Sequence, residues 1–191
     1  MFIIDRAFDR EVADYLAKKI LTDGKFVPSS IQLDYNKGSE SPASVDSFRT
    51  SSELKDGYML PHYYERNVAL KIQHAADYFR LSSIFQETAR WNVIKYEAGE
   101  HFKLHTDCWD NIQGEGSDQR VLTALIVLQQ AEDGGKTVMP NLGLEARLPP
   151  GMMMVWKNVD HGRCNPLLLH AGTPPKNGTK LVMTRWFRGG L

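Results

Sequence analysis

The stretch KLHTDCWD, residues 103 to 110, sets His105 and Asp107 two positions apart. In an extended strand alternate side chains share a face, so the imidazole and the carboxylate can reach one metal ion. Taken alone the pair is weak evidence, because a hydrogen bond at a strand end would explain it equally well. A third ligand has to come from another strand. Of the six histidines, His62 and His74 fall in a helical pattern and His101 and His161 lie near turns; only His170, ending NPLLLH, has an apolar run behind it. Two imidazoles and one carboxylate suit Fe(II), because three ligands on one side leave positions open for substrate and oxygen. Zinc competes for the same set, since its catalytic sites also take three protein ligands plus water.

Lys180 bears on that choice. The segment TPPKNGT has the Pro, Asn and Gly of a turn, which predicts a hairpin that carries Lys180 next to His170. Lys180, Val182, Thr184 and Trp186 then share one strand face. A lysine buried near a metal needs an anion. A dicarboxylate chelating the metal at one end and pairing with Lys180 at the other would satisfy both charges.

These residues need a β scaffold, and the second half of the chain has its texture. WNVIKY, VLTALIVL, GMMMVW and KLVMTRWF are short apolar or β-branched runs separated by QGEGSD, EDGG and PPKNG. Frequent strands without helical crossovers predict an antiparallel sandwich or jelly roll. Trp156, Trp186 and the MMM run at 152 to 154 read as packing in it. Two helices precede the strands. REVADYLAKKIL, after a capping Asp9, brings Val12, Leu16, Lys19 and Ile20 near one face. Pro61 suits the first turn of a second helix that aligns Tyr64, Val68, Ile72, Ala75, Ala76 and Phe79. Between them, Gly24 to Gly57 reads as loop with at most one short strand. The expected fold is mainly β with N-terminal helices (α+β). It is one domain, residues 1–191, with helical and loop support to about residue 90 and a jelly-roll core over about 91–188.

Composition narrows the function. At 42% hydrophobic and 24% charged, the 191 residues fit an ordinary globular chain, and Lys+Arg equals Asp+Glu at 23 each. Net neutrality gives no electrostatic case for nucleic acid. No apolar run approaches membrane-spanning length and no secretory leader opens the chain, so a cytoplasmic location and no membrane partner are expected. Cys108 and Cys164 are too few for a disulfide framework and are expected as reduced thiols.

RTSSEL (49–54), YEAGEHFKLHTD (96–107), QRVLTALIVLQQAEDGGKTVMP (119–140), GMMMVWKN and LLLHAGTPPKNGTKLVMTRWF together resemble the prolyl 4-hydroxylase-like branch of the Fe(II)/2-oxoglutarate-dependent dioxygenases. The likeness runs over roughly residues 48 to 188, and its specificity lies in the order of the pieces. It implies a double-stranded β-helix, the cupin-like jelly roll. It implies His105, Asp107 and His170 as iron ligands and Lys180 as partner of the distal carboxylate of 2-oxoglutarate, with Thr123 and Tyr96 as further donors. Arg120 matches an arginine on the substrate side. Phe102 stands where peptide-hydroxylating relatives have Tyr, Lys136 replaces Glu, Met139 replaces Phe and Val127 replaces Tyr. These departures touch the substrate side and leave the triad and lysine intact.

The resemblance implies an oxygenase that uses Fe(II), 2-oxoglutarate and O2 to hydroxylate an unactivated C–H bond of an amino acid, peptidyl residue or small metabolite, releasing succinate and CO2. Desaturation or cyclisation on the same cofactors is the alternative. A zinc-holding or metal-free jelly-roll binding module is the alternative of another class. Trp109, in the glycine-containing CWDNIQGEGSDQ, is a lid candidate, as is the polar region before residue 58; Arg188 is a candidate at the cleft mouth. Oligomeric state is not legible in the sequence.

Overall fold

A computed structural model describes residues 2–30, 48–81, 84–86, 88–109 and 119–189. Strands dominate, arranged as two sheets. The larger joins β1 (Phe2–Arg6), β11 (Met152–Lys157), β7 (Gln119–Gln129), β16 (Lys180–Gly189), β5 (Asn92–Tyr96), β3 (Ser52–Leu54) and β2 (Phe26–Pro28) in that order, with β4 (Phe85–Gln86) on the end of β16. The smaller is β10 (Leu144–Ala146), β9 (Thr137–Met139), β14 (His170–Gly172) and β6 (Phe102–His105). Two ribbons complete the set, β8 (Asp133–Gly134) with β15 (Pro175–Asn177), and β12 (Val159–Asp160) with β13 (Arg163–Cys164).

The apolar runs of β7 and β16 are nearly continuous because both faces of the large sheet are covered. Ala124, Ile126, Leu128, Leu181 and Met183 face the helical side of the core, while Leu125, Val127 and Val182 join Met139, Met154 and Trp156 in the layer between the sheets. The three consecutive methionines follow the same alternation, with Met153 on the helical side and Met154 between the sheets. Helix α1 (Arg10–Asp23) buries Ala13, Leu16, Ala17 and Ile20, and α2 (His62–Tyr78) buries Val68, Ile72, Ala75 and Ala76. Arg185, 2% exposed, ties α2 to the sheet. It pairs with Glu65, donates to the Gln86 side chain at 3.0 Å and the Ala89 carbonyl at 2.7 Å, and lies over the Trp91 ring.

Several expectations change in detail. Lys19 lies outside the buried face of α1 and pairs with Asp23 at 3.0 Å. The Asp9 side chain does not cap that helix; its backbone carbonyl accepts from Val12 and Ala13 instead. Pro61 precedes α2 rather than opening its first turn. The loop-like stretch from Gly24 to Gly57 contributes two strands, β2 and β3, and Phe2–Arg6 is an edge strand that no hydrophobic alternation announced.

The hairpin expected at TPPKNG does not form. β14 and β16 belong to different sheets, and the intervening Pro175–Asn177 pairs with Asp133–Gly134. Lys180 therefore approaches His170 from the facing sheet, not along a shared ladder.

The thiol expectation is overturned as well. Cys108 and Cys164 form a disulfide, with Cα atoms 5.7 Å apart. The β12–β13 ribbon returns the chain to the turn that follows β6, a meeting that a separation of 56 residues conceals. Closing a loop of 56 residues confers about 4 kcal/mol by the chain-entropy account. A dithiol is accordingly expected to lower the thermal midpoint by roughly 10 °C in a calorimetric scan. An unchanged midpoint would mean that the cysteines are not joined.

Candidate active site

His105 closes β6, His170 opens β14, and the two are directly paired across the antiparallel ladder with ring centroids 4.2 Å apart. β6 ends at His105, so Asp107 is brought round by the following turn and not by strand alternation. The convergence expected of the pair is nonetheless found. His105 Nε2 is 3.9 Å from Asp107 Oδ1 and His170 Nε2 is 3.6 Å from Oδ2. All three ligand atoms lie within 4.8 Å of one another.

Each imidazole is oriented by its other nitrogen. Nδ1 of His105 lies 2.7 Å from the Lys103 carbonyl and Nδ1 of His170 lies 2.9 Å from that of Leu168. A carbonyl only accepts, so Nδ1 carries the hydrogen and Nε2 presents a lone pair to the shared space. Burial and the neighbouring His170 push His105 down to about 4. Burial alone would raise the Asp107 carboxyl, but His170, His105 and the Thr123 hydroxyl more than offset it and hold it below the ordinary range. Neutral imidazoles and an ionised carboxylate are the metal-binding forms. Two nitrogens and a carboxylate from one side fit Fe(II).

A cavity extends from this cluster between the sheets to Lys180. Ile94, Leu125, Val182 and Trp156 form its apolar walls. Lys180 is 3% exposed, and its one hydrogen bond among the described residues is to Thr137 Oγ1 at 3.1 Å. No carboxylate among the described residues pairs with it. Burial pushes the amine down to about 8. Tyr96 stands opposite Lys180 in the β5–β16 ladder, its ring centroid 5.8 Å from Nζ. Thr123 also lines the cavity, but its hydrogen goes to Asp107 Oδ2 at 2.7 Å, so here it serves the metal ligand.

Outside the triad lies a second space of about 370 Å3, bordered by Arg49, Glu53, Phe102, Trp109, Arg120 and Trp186. The Phe102 ring stacks on His105 at 3.6 Å between centroids and 20° between planes. Arg120 lies over both indoles, 4.5 Å from Trp109 and 4.1 Å from Trp186, and Arg188 also lies 4.9 Å from the Trp109 ring. The Gln119 amide accepts from the Trp109 backbone N–H at 3.0 Å and donates to its carbonyl at 2.8 Å. Trp109, expected as a lid residue, is thus a clasped wall of the cleft. The rest of that loop, 110–118, and residues 31–47 of the other lid candidate fall outside the described residues.

Arg49 was given no role from sequence, where RTSSEL was its only signal. The Lys103 N–H donates to the Phe48 carbonyl at 2.8 Å and the Thr50 N–H to that of His101 at 2.9 Å, so residues 48–50 cover the open edge of β6. The chain then crosses into β3 of the other sheet, leaving the Arg49 guanidinium over Phe102 at 4.6 Å and in both spaces. The altered positions Val127 and Met139 pack between the sheets, and Lys136 faces outward to Glu145 at 2.6 Å.

The profile of the 2OG-Fe(II) oxygenase superfamily matches residues 91–188, just over half of the chain. The chain belongs to the 2OG-Fe(II) oxygenase superfamily. Within this superfamily it is 30% identical over 112 residues to a prolyl 4-hydroxylase-like protein of Acanthamoeba polyphaga mimivirus, covering 54% of this chain and 46% of that one. It is 24% identical over 181 residues to prolyl 4-hydroxylase 13 of Arabidopsis thaliana, covering 86% and 62%. The matched region thus spans less than two thirds of the length of either curated relative, 46% of the first and 62% of the second. Among solved structures, the viral collagen prolyl hydroxylase of Paramecium Bursaria Chlorella virus-1, determined with 2OG, superposes with a TM-score of 0.75 at 21% identity, over 98% of this chain and 96% of that one. The jelly-roll architecture expected from the sequence is therefore the oxygenase fold.

Proposed function

We propose that this oxygenase hydroxylates an unactivated C–H bond of a peptidyl residue, consuming 2-oxoglutarate and O2 and releasing succinate and CO2. The observation that carries the reading is Lys180, a buried amine without a carboxylate partner among the described residues, in the same cavity as the His105, Asp107 and His170 cluster. A structural or zinc-holding barrel gives no reason to bury that charge. His105, Asp107 and His170 would hold Fe(II), which with 2-oxoglutarate and O2 supplies the oxidation that breaks the C–H bond. The chain's own share is positional. Lys180 and Tyr96 fix the far end of the co-substrate, while the apolar side chains between them and the triad keep water out.

The outer cleft supports a peptidyl substrate. Its stacked arginine and indole side chains offer both hydrogen bonds and flat surfaces to a backbone. The relatives named above are described as prolyl hydroxylases, which makes proline-containing peptides the first choice. Phe102 lacks the hydroxyl of a tyrosine, so the apolar ring next to His105 contributes shape rather than a polar contact. Incubation of the iron-loaded enzyme with a peptide panel should yield a product heavier by one oxygen atom together with succinate. Succinate linked instead to oxidation of free amino acids would move the substrate class.

The Cys108–Cys164 bond accords with work in an oxidising compartment, against the cytoplasmic expectation. No helix among the described residues is long and apolar enough to cross a membrane.

Lys180 also sets a pH dependence. An anion is held by the protonated amine, so 2-oxoglutarate affinity should be sustained below pH 8 and weaken above it as Lys180 deprotonates. Calorimetric titration on both sides of that pH checks this; affinity that rises above pH 8 would contradict it.

A further inference from the structure

Asn158, the residue after β11, is 3% exposed and is contributed by neither the metal cluster nor either cavity wall. Its side chain is nevertheless one step removed from Asp107. Nδ2 lies 3.1 Å from the Arg120 carbonyl and 2.9 Å from Thr123 Oγ1, and Thr123 Oγ1 lies 2.7 Å from Asp107 Oδ2. The directions of these bonds are fixed by elimination. A backbone carbonyl accepts only, so the nitrogen of the amide faces Arg120, and its second hydrogen goes to Thr123. Thr123 has a single hydrogen. With an N–H already directed at its oxygen, that hydrogen goes to the carboxylate at 2.7 Å rather than back to Asn158 Oδ1 at 3.3 Å.

We propose that Asn158 is a positioning residue for the metal carboxylate, acting through Thr123 to fix which way Asp107 faces. The inference rests on the triad as a metal centre and is independent of any substrate. The relay is held at both ends. The Asn158 backbone N–H donates to the Val121 carbonyl at 2.9 Å, and Asp107 Oδ2, which receives the hydrogen, is the oxygen 3.6 Å from His170 Nε2. Without the relay Asp107 loses the Thr123 donor and can rotate away from the two imidazoles.

Asn158→Asp tests this because it reverses the polarity at nearly constant shape. A carboxylate at that position donates nothing to Thr123 or to the Arg120 carbonyl, and it competes with Asp107 for the single hydroxyl hydrogen. Fe(II) affinity is measured anaerobically by competition with a chromophoric chelator. The Co(II)-loaded protein supplies a second readout, its visible d–d spectrum, which reports ligand geometry without turnover. Asn158→Asp and Thr123→Val should each weaken Fe(II) retention by about tenfold to a hundredfold and alter the Co(II) spectrum, while Thr123→Ser should stay within about twofold of the parent. Because they interrupt one path, the double variant Asn158→Asp with Thr123→Val should be no worse than the weaker single variant.

Asn158→Ala is the second variant should aspartate unfold the chain, and the same loss is expected of it with the metal-free fold retained by circular dichroism. Parent-like Fe(II) affinity in a folded Asn158 variant, or additive losses in the double variant, would overturn the relay. A parent protein that retains no Fe(II) would overturn the triad itself, and the relay with it.

Discussion

Replacement of Lys180 by methionine should weaken 2-oxoglutarate binding by about a hundredfold or more while Fe(II) affinity stays within about twofold. The buried amine lines the cavity beside Tyr96, with no carboxylate partner among the described residues, and its loss would leave the distal carboxylate of the co-substrate without its facing charge. The same substitution should stabilise the unliganded protein. The fall of the Lys180 amine from its ordinary 10.5 to about 8 is a burial penalty on the order of 3 kcal/mol. The folded state releases a proton that the unfolded state retains between those values, so this penalty is full below pH 8 and is relieved as pH rises toward 10.5. At neutral pH methionine removes it and keeps the volume. Thermal unfolding with and without 2-oxoglutarate separates the effects: the variant should melt higher when unliganded and gain little from the ligand. Equal loss of Fe(II) and 2-oxoglutarate affinity would contradict the role given to Lys180.

Asp107→Ala should abolish detectable succinate formation and lower Fe(II) affinity by at least about a hundredfold, more than any change behind it in the relay. Asp107 is the only anion in the cluster. Its removal also strands the hydrogen of Thr123 and takes away the charge that His105 and His170 face at 3.9 Å and 3.6 Å. Competition with a chelator measures the metal, and separation of succinate from 2-oxoglutarate measures turnover. Parent-like Fe(II) retention by a folded Asp107→Ala protein would remove this carboxylate from the metal set.

Much of this was legible because the decisive residues break local pattern. His170 ends an apolar run and Lys180 opens one, and a polar residue against such a strand demands a partner. The central strands were legible for a related reason, since burial on both faces writes continuous apolar runs into β7, β11 and β16. What escaped notice depends on pairing over distance. Lys180 reaches the site across the sandwich because strand order, not the nearby turn, decides which sheet each strand joins. Arg49 is buried because its segment covers the edge of β6, and nothing within RTSSEL encodes that edge. Cys108 and Cys164 meet because β12 and β13 fold back, and two cysteines in a sequence carry no such information. Thr123 was named only through the family resemblance, as a donor to 2-oxoglutarate, and its bond to Asp107 could be read only once the two were seen 2.7 Å apart.

The central claim is that one cavity holds Fe(II) at the His105, Asp107 and His170 end and 2-oxoglutarate at the Lys180 end. Anaerobic addition of Fe(II) and then 2-oxoglutarate to the metal-free protein, followed by visible absorption, tests both ends together. A weak charge-transfer band should appear only when both are present, should be lost in Lys180→Met at the same concentrations, and should give way to succinate on admission of oxygen. No band and no succinate from the folded parent protein would contradict the account.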